Sequence, residues 1–200
     1  NSKANKRKTI KIMTTFINLL TLSRIFLAAI IFLLLTSTDG YPMALVLFFI
    51  AGVTDYFDGY LARKYNAVSQ IGEILDPIAD KILILFLLFG LAINLSSYLI
   101  GFIGALIITR EIWVGALRDM NARNNKSDAT KVTFLAKIKT TIQLFTISIY
   151  LVGLAINNML LLVIGDIILF ISLFITLYTG FLYTLNSFRT DEVKKLNSNL

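Results

Sequence analysis

Four aspartates, Asp55, Asp58, Asp76 and Asp80, fall within one short stretch of this chain, TDYFDGYLARKYNAVSQIGEILDPIAD. The chain has no histidine and no cysteine. That removes thiol nucleophiles, serine–histidine triads, imidazole acid–base chemistry and zinc sites built on Cys or His. Carboxylates, Lys, Arg, hydroxyls and a hard, oxygen-loving metal remain. The spacing gives the acids a direction. Asp55, Asp58, Gly59 and Ala62 recur at i, i+3, i+4 and i+7, and Gly72, Asp76 and Asp80 at i, i+4 and i+8, so each set shares one helix face. Two antiparallel helices joined by the short connection 64–71 can turn these faces toward each other. The small residues Gly59, Ala62 and Gly72 would let backbones, or a flat ligand, approach closely. Four converging carboxylates repel, and a pair of Mg²⁺ or Mn²⁺ ions bridged by shared aspartates would relieve them, an arrangement suited to phosphoryl chemistry. The alternative is that the acids line a solvated loop and pair with Arg63, Lys64 and Lys81.

The elements that must carry these residues are membrane helices. Apolar residues make up 56% of the 200-residue chain and charged residues 16%, with a mean hydropathy of +0.77. Soluble domains have about 25% charged residues. Apolar stretches of bilayer-spanning length run over 16–35, 42–61, 74–93, 98–117, 134–156 and 160–183, which predicts an all-α integral membrane protein of six transmembrane helices. The breaks 36–41, 94–97 and 157–158 are tight and free of Lys and Arg, which predicts three helical hairpins. Lys3, Lys6, Arg7, Lys8 and Lys11, then Arg63 and Lys64, then the 118–139 region, then Arg189, Lys194 and Lys195 place basic charge on the other side. Both termini, and the aspartates with them, are therefore expected to face the cytoplasm. One domain is expected over 1–200. It comprises a basic juxtamembrane segment 1–15 forming a short amphipathic surface helix, a bundle over 16–186 and a polar tail over 187–200. The basic-then-apolar start is read as a retained span, since 36–42 has no small-residue cleavage site. The net charge of +7 is accounted for by topology and anions at the membrane. The Lys3–Lys11 cluster abuts a span, which favours anionic lipid over nucleic acid.

The stretch from Asp55 to Asp80 resembles the signature of the CDP-alcohol phosphotransferase family at Asp55, Asp58, Gly59, Ala62, Arg63, Gly72, Asp76 and Asp80. That family is a six-helix membrane bundle with the signature on its second and third helices. The resemblance implies displacement of CMP from a CDP-linked donor by an alcohol, with two divalent cations, Mg²⁺ or Mn²⁺, held by Asp55, Asp58, Asp76 and Asp80. It implies that Asp80 also acts as general base on the acceptor hydroxyl. It implies a CDP pocket of Asp58, Gly59, Ala62, Arg63 and Gly72, with Arg63 near the phosphates, and a homodimer.

Two further stretches, NLLTLSRI at 18–25 and TREIWVGALR at 109–118 with AKIKTTIQ at 136–143, resemble members that transfer phosphatidyl from CDP-diacylglycerol to glycerol 3-phosphate. Ile17 and Ala136 depart from the proline and glycine usual there, without removing a charge. A phosphorylated acceptor also fits the charges. Arg24, Arg110, Arg118 and Lys137 cluster at one depth, which is costly in a membrane unless an anion joins them. Snorkelling, or pairing with Glu111 and Asp119, is the alternative. A relative using phosphatidylglycerol as acceptor, and a divalent-cation transporter, are the competing functions. A transporter would place its acids at mid-membrane on repeated, broken helices, and no repeat is visible. Asp166, in the last span, is expected to make a helix–helix hydrogen bond.

Overall fold

The computed structural model describes residues 2–65, 67, 69–124 and 134–198. Among them are long helices and no strand: α1 Ser2–Leu34, α2 Tyr41–Tyr65, α3 Gln70–Asn94, α4 Tyr98–Arg123, α5 Phe134–Ala155 and α6 Met159–Ser198, with one 3₁₀ turn at Thr38–Gly40. Five contain segments long and apolar enough to cross a membrane: Ile12–Leu34 of α1, α2, α4, Ile138–Ala155 of α5 and Met159–Phe188 of α6. α3 is outside that set. Its first half carries Asp76, Asp80 and Lys81, and its second half is walled by neighbours, with Leu83, Leu87, Leu88 and Leu91 buried. The large apolar side chains that face outward, such as Phe26, Phe174 and Phe181, are those of a surface solvated by lipid.

The turns form where local chemistry satisfies the helix ends. Ser69 caps α3, its Oγ accepting from Gly72 N at 2.9 Å, and Ser97 caps α4. Between α3 and α4 Ser96 takes a positive φ, as Asn157 does between α5 and α6, and the Asn158 side chain accepts from Leu160 N. Asn94, at the end of α3, donates 2.7 Å bonds to Leu35 O and Tyr41 Oη, which ties the first hairpin to the second. At both ends the helices run on. α1 is one helix from Ser2, without a break between a surface segment and a span, and α6 continues to Ser198 through the segment expected to be a polar tail. Neither 2–34 nor 181–198 contains a proline or glycine to interrupt the backbone ladder.

α1 packs on α2 and α3, and α6 packs on α4 and α5. Contacts of α3 with α4 and of α2 with α5 join the two groups. In lipid no hydrophobic force drives helices together, so close approach has to come from small residues and complementary shape. Ala28, Ala44 and Ala51 are fully buried at these contacts, among Ile31, Leu87 and Ile147. A Cβ at Gly165 would meet the Tyr150 ring at 2.9 Å, so that glycine lets α5 and α6 close up. There Tyr150 Oη donates to Asp166 Oδ1 at 2.6 Å, the inter-helix bond expected of Asp166.

Candidate active site

α2 brings Asp55 and Asp58, α3 brings Asp76 and Asp80, and α1 brings a residue that sequence reasoning placed elsewhere. Arg24, 1% exposed, reaches into the midst of the acids. Its Nη1 donates to Asp55 Oδ1 and, at 2.8 Å, to Asp80 Oδ1. Its Nη2 lies 2.9 Å from Asp58 Oδ2 and 3.7 Å from Asp76 Oδ1. One turn earlier on the same face, Thr21 Oγ1 lies 2.9 Å from Asp76 Oδ1 and 3.3 Å from Asp58 Oδ2. The cation that answers the aspartates is thus Arg24, not Arg63, Lys64 or Lys81. Arg24 is correspondingly absent from the basic group to which its depth in the membrane assigned it. That α1 is a helix through Arg24 was legible from sequence, but the rotation of α1 about its axis was not. Thr21 could have been found from its i, i+3 relation to Arg24.

Among the described residues four carboxylates face one guanidinium, a formal excess of three negative charges. Asp58 is almost fully buried, while Asp55, Asp76 and Asp80 are about half exposed, so the cluster is open on one side. An oxygen-only donor set converging on a cationic group fits a hard divalent ion. Among the described residues no three acids are already closed around one metal position; the guanidinium occupies their point of convergence.

The remaining signature residues lie on the same two helices, at the end of α2 and the start of α3. Arg63, exposed, folds back over Gly59, where a Cβ would lie 3.6 Å from its guanidinium. Ala62 is half-buried, and its carbonyl accepts from Ala67 N where α2 ends. Gly72 is buried; a Cβ there would lie 3.1 Å from Asn18 Oδ1 and from Ser69 Oγ, so the glycine lets the start of α3 approach α1.

Two cavities open from the acids. The first, about 450 Å³, runs between α3, α4 and α5 from Asp76 and Asp80 to Lys81, Arg110, Arg118 and Lys139. The second, about 360 Å³, is mostly apolar, bounded by Phe48, Phe49, Leu83, Leu144 and Phe145, and ends at Arg24, Asp55 and Asp80. Asp80 is the one signature aspartate that lines both.

In the basic cavity the cations differ in how far they are engaged. Arg110 is buried and held on three sides: Nε donates to Thr176 O at 2.8 Å, Nη2 to Thr179 Oγ1 at 2.7 Å and Nη1 to Glu111 Oε1 at 3.0 Å. Glu111 Oε1 also accepts from Lys139 Nζ. Pairing with Glu111, the alternative foreseen for Arg110, is thus found, and Lys139 shares that carboxylate. Arg118 lies over the Tyr183 ring at 5.3 Å, its buried Nε has no hydrogen-bond partner, and among the described residues it has no ion pair. Lys137 falls outside the described side chains. Glu111 and Gln143, which also line this cavity, were not singled out for the site from sequence.

A bundle of membrane-length helices with a carboxylate cluster suited to cations, opening onto a cavity lined with basic groups, defines an integral membrane protein with a charged internal site. The chain belongs to the CDP-alcohol phosphatidyltransferase family, whose profile matches residues 14–178. It is 41% identical over 171 residues to the CDP-diacylglycerol–glycerol-3-phosphate 3-phosphatidyltransferase of Rickettsia bellii, covering 83% of this chain and 91% of that one. It is 38% identical over 173 residues to the protein of the same name from Rickettsia typhi, covering 83% and 93%. With the Escherichia coli protein of that name it shares 35% over 133 residues, covering 65% and 72%.

Proposed function

We propose that this protein transfers a phosphatidyl group from CDP-diacylglycerol to glycerol 3-phosphate, releasing CMP. The observation that carries this reading is the position of Asp80 at the meeting of an apolar cavity and a basic one. A donor with lipid tails and an acceptor with a phosphate need those two environments, and they need them to meet at the reacting phosphorus. Asp55, Asp58, Asp76 and Asp80 hold two Mg²⁺ ions, for which Mn²⁺ can substitute. When bound, these neutralise charge on the phosphoryl oxygens.

Arg63 and the Gly59 face of α2, with Asp58, Ala62 and Gly72, receive the cytidine diphosphate part of the donor. Arg118, with Lys137 as expected from the sequence, holds the acceptor phosphate, while Arg110 and Lys139, both paired with Glu111, brace the cavity wall. Asp80 takes the proton of the acceptor hydroxyl as its oxygen bonds to the phosphorus carrying the diacylglycerol; the bond from that phosphorus to CMP breaks, and CMP leaves. In a chain without histidine, a carboxylate at that junction is the available base. On the same reading α3 is the sixth span, the site and both termini face the cytoplasm, and the protein is a homodimer, as the family resemblance implies.

The acceptor is tested by giving purified protein Mg²⁺ and CDP-diacylglycerol with glycerol 3-phosphate and phosphatidylglycerol in competition. The expected product is the phosphorylated lipid from glycerol 3-phosphate. Diphosphatidylglycerol as the sole product would assign the chain to the other acceptor.

A further inference from the structure

The guanidinium of Arg24 is divided evenly between two helices. Nη1 takes Asp55 from α2 and Asp80 from α3, and Nη2 faces Asp58 from α2 and Asp76 from α3. A fully buried arginine whose four partners are all signature acids is more than a helix staple, because those oxygens are the ones a divalent ion would need. Mg²⁺ binds oxygen at about 2.0–2.1 Å. The spacings of 2.8, 2.9 and 3.7 Å to Arg24 nitrogens are those of hydrogen bonds and ion pairs, with the guanidinium standing between carboxylates that an ion would have to draw together. The same oxygens cannot serve both at full strength, and a +2 ion beside a +1 guanidinium repels it.

Arg24 also has somewhere to go. Its buried Nε makes no hydrogen bond, and its side chain borders the 360 Å³ cavity beside Asp55 and Ser148. We infer that Arg24 is the resident counter-cation of the aspartate cluster: it holds the four acids together before metal arrives and yields Asp55 and Asp80 as the divalent ions bind, so that it sets the metal affinity of the site. Arg24 is on this account a positioning residue acting through the aspartates, and the inference rests on the metal reading proposed above.

Mn²⁺ binding to detergent-solubilised protein, followed by electron paramagnetic resonance without nucleotide or lipid, separates the two ideas. R24Q, purified in Mg²⁺ and then exchanged, should bind Mn²⁺ at least about tenfold more tightly than the unsubstituted protein. R24K should fall between them, since an ammonium is a point charge that cannot span four carboxylates. Equal or weaker binding by R24Q, with Mn²⁺ still bound by the unsubstituted protein, would overturn the role of Arg24 alone. Absence of Mn²⁺ binding in every form would overturn the metal reading and this inference with it. Should R24Q not fold, the unsubstituted protein still decides. Its Arg24 Nε–H nitrogen resonance, assigned by its loss in R24K, should shift on addition of Mg²⁺, and a resonance that stays in place would contradict displacement.

Discussion

Arg118 and Arg110 show how similar residues on one helix differ in what they are free to do. Arg110 spends three hydrogen-bonding directions on Thr176, Thr179 and Glu111, while Arg118 lies over the face of Tyr183 and has no ion pair among the described residues. The free guanidinium is the one available for a substrate phosphate. A charge-assisted bond to phosphate contributes about 1.5–3 kcal/mol, so Arg118→Gln should raise KM for glycerol 3-phosphate by about 10- to 100-fold, with kcat changed far less. Steady-state kinetics at saturating donor check this; an unchanged KM would remove Arg118 from the acceptor site. Sequence made the aspartates legible because a helical period determines which residues share a face. It could not separate Arg110 from Arg118, because both sit toward the same end of one apolar helix. The difference between them comes from α6, more than 60 residues further along the chain, through Thr176, Thr179 and Tyr183.

At the scale of elements, α6 is shaped to receive the Arg110 side chain. A Cβ at Gly180 would lie 2.8 Å from Arg110 Cγ and 2.9 Å from its Nε, so the arginine crosses α6 where no side chain stands. Gly180→Ala should therefore displace Arg110 from Thr176 and Thr179, at a cost of about 1–3 kcal/mol for overpacking, seen as a lowered Tm in detergent. An unchanged Tm would show that the neighbouring helix yields without cost. The hairpin turns were legible because each break holds polar residues suited to caps and positive φ, as at Ser96 and Asn157. The ends of α1 and α6 were not, since helix propensity continues through charged residues after bilayer hydropathy has ended. The packing partner of α1 was also hidden: an apolar stripe says which face is covered, but not that Arg24 and Thr21 lie against the acids of α2 and α3.

For the molecule as a whole, the arrangement is a bundle with one end charged and the other closed by tight uncharged or acidic turns. The absence of native cysteine makes the proposed topology directly measurable. With the site end cytoplasmic, Asn157→Cys should react with a membrane-impermeant maleimide added outside intact cells, whereas Lys64→Cys should react only after the membrane is opened. The reverse pattern would place the site on the outer face. The two cavities that meet at Asp80 were not readable from sequence, because their walls come from helices far apart in the chain and a cavity is a property of their packing. Which residues could do chemistry was visible; which environments they separate was not.

The most direct test of the account concerns Asp80, where the apolar and basic cavities meet. The initial rate at which radiolabelled glycerol 3-phosphate enters chloroform-extractable lipid, with saturating CDP-diacylglycerol and Mg²⁺, should fall by about 10²–10⁴-fold in Asp80→Asn, the range contributed by a positioned general base, while the variant melts cooperatively. A folded Asp80→Asn protein that labels lipid within a few-fold of the unsubstituted rate would contradict it.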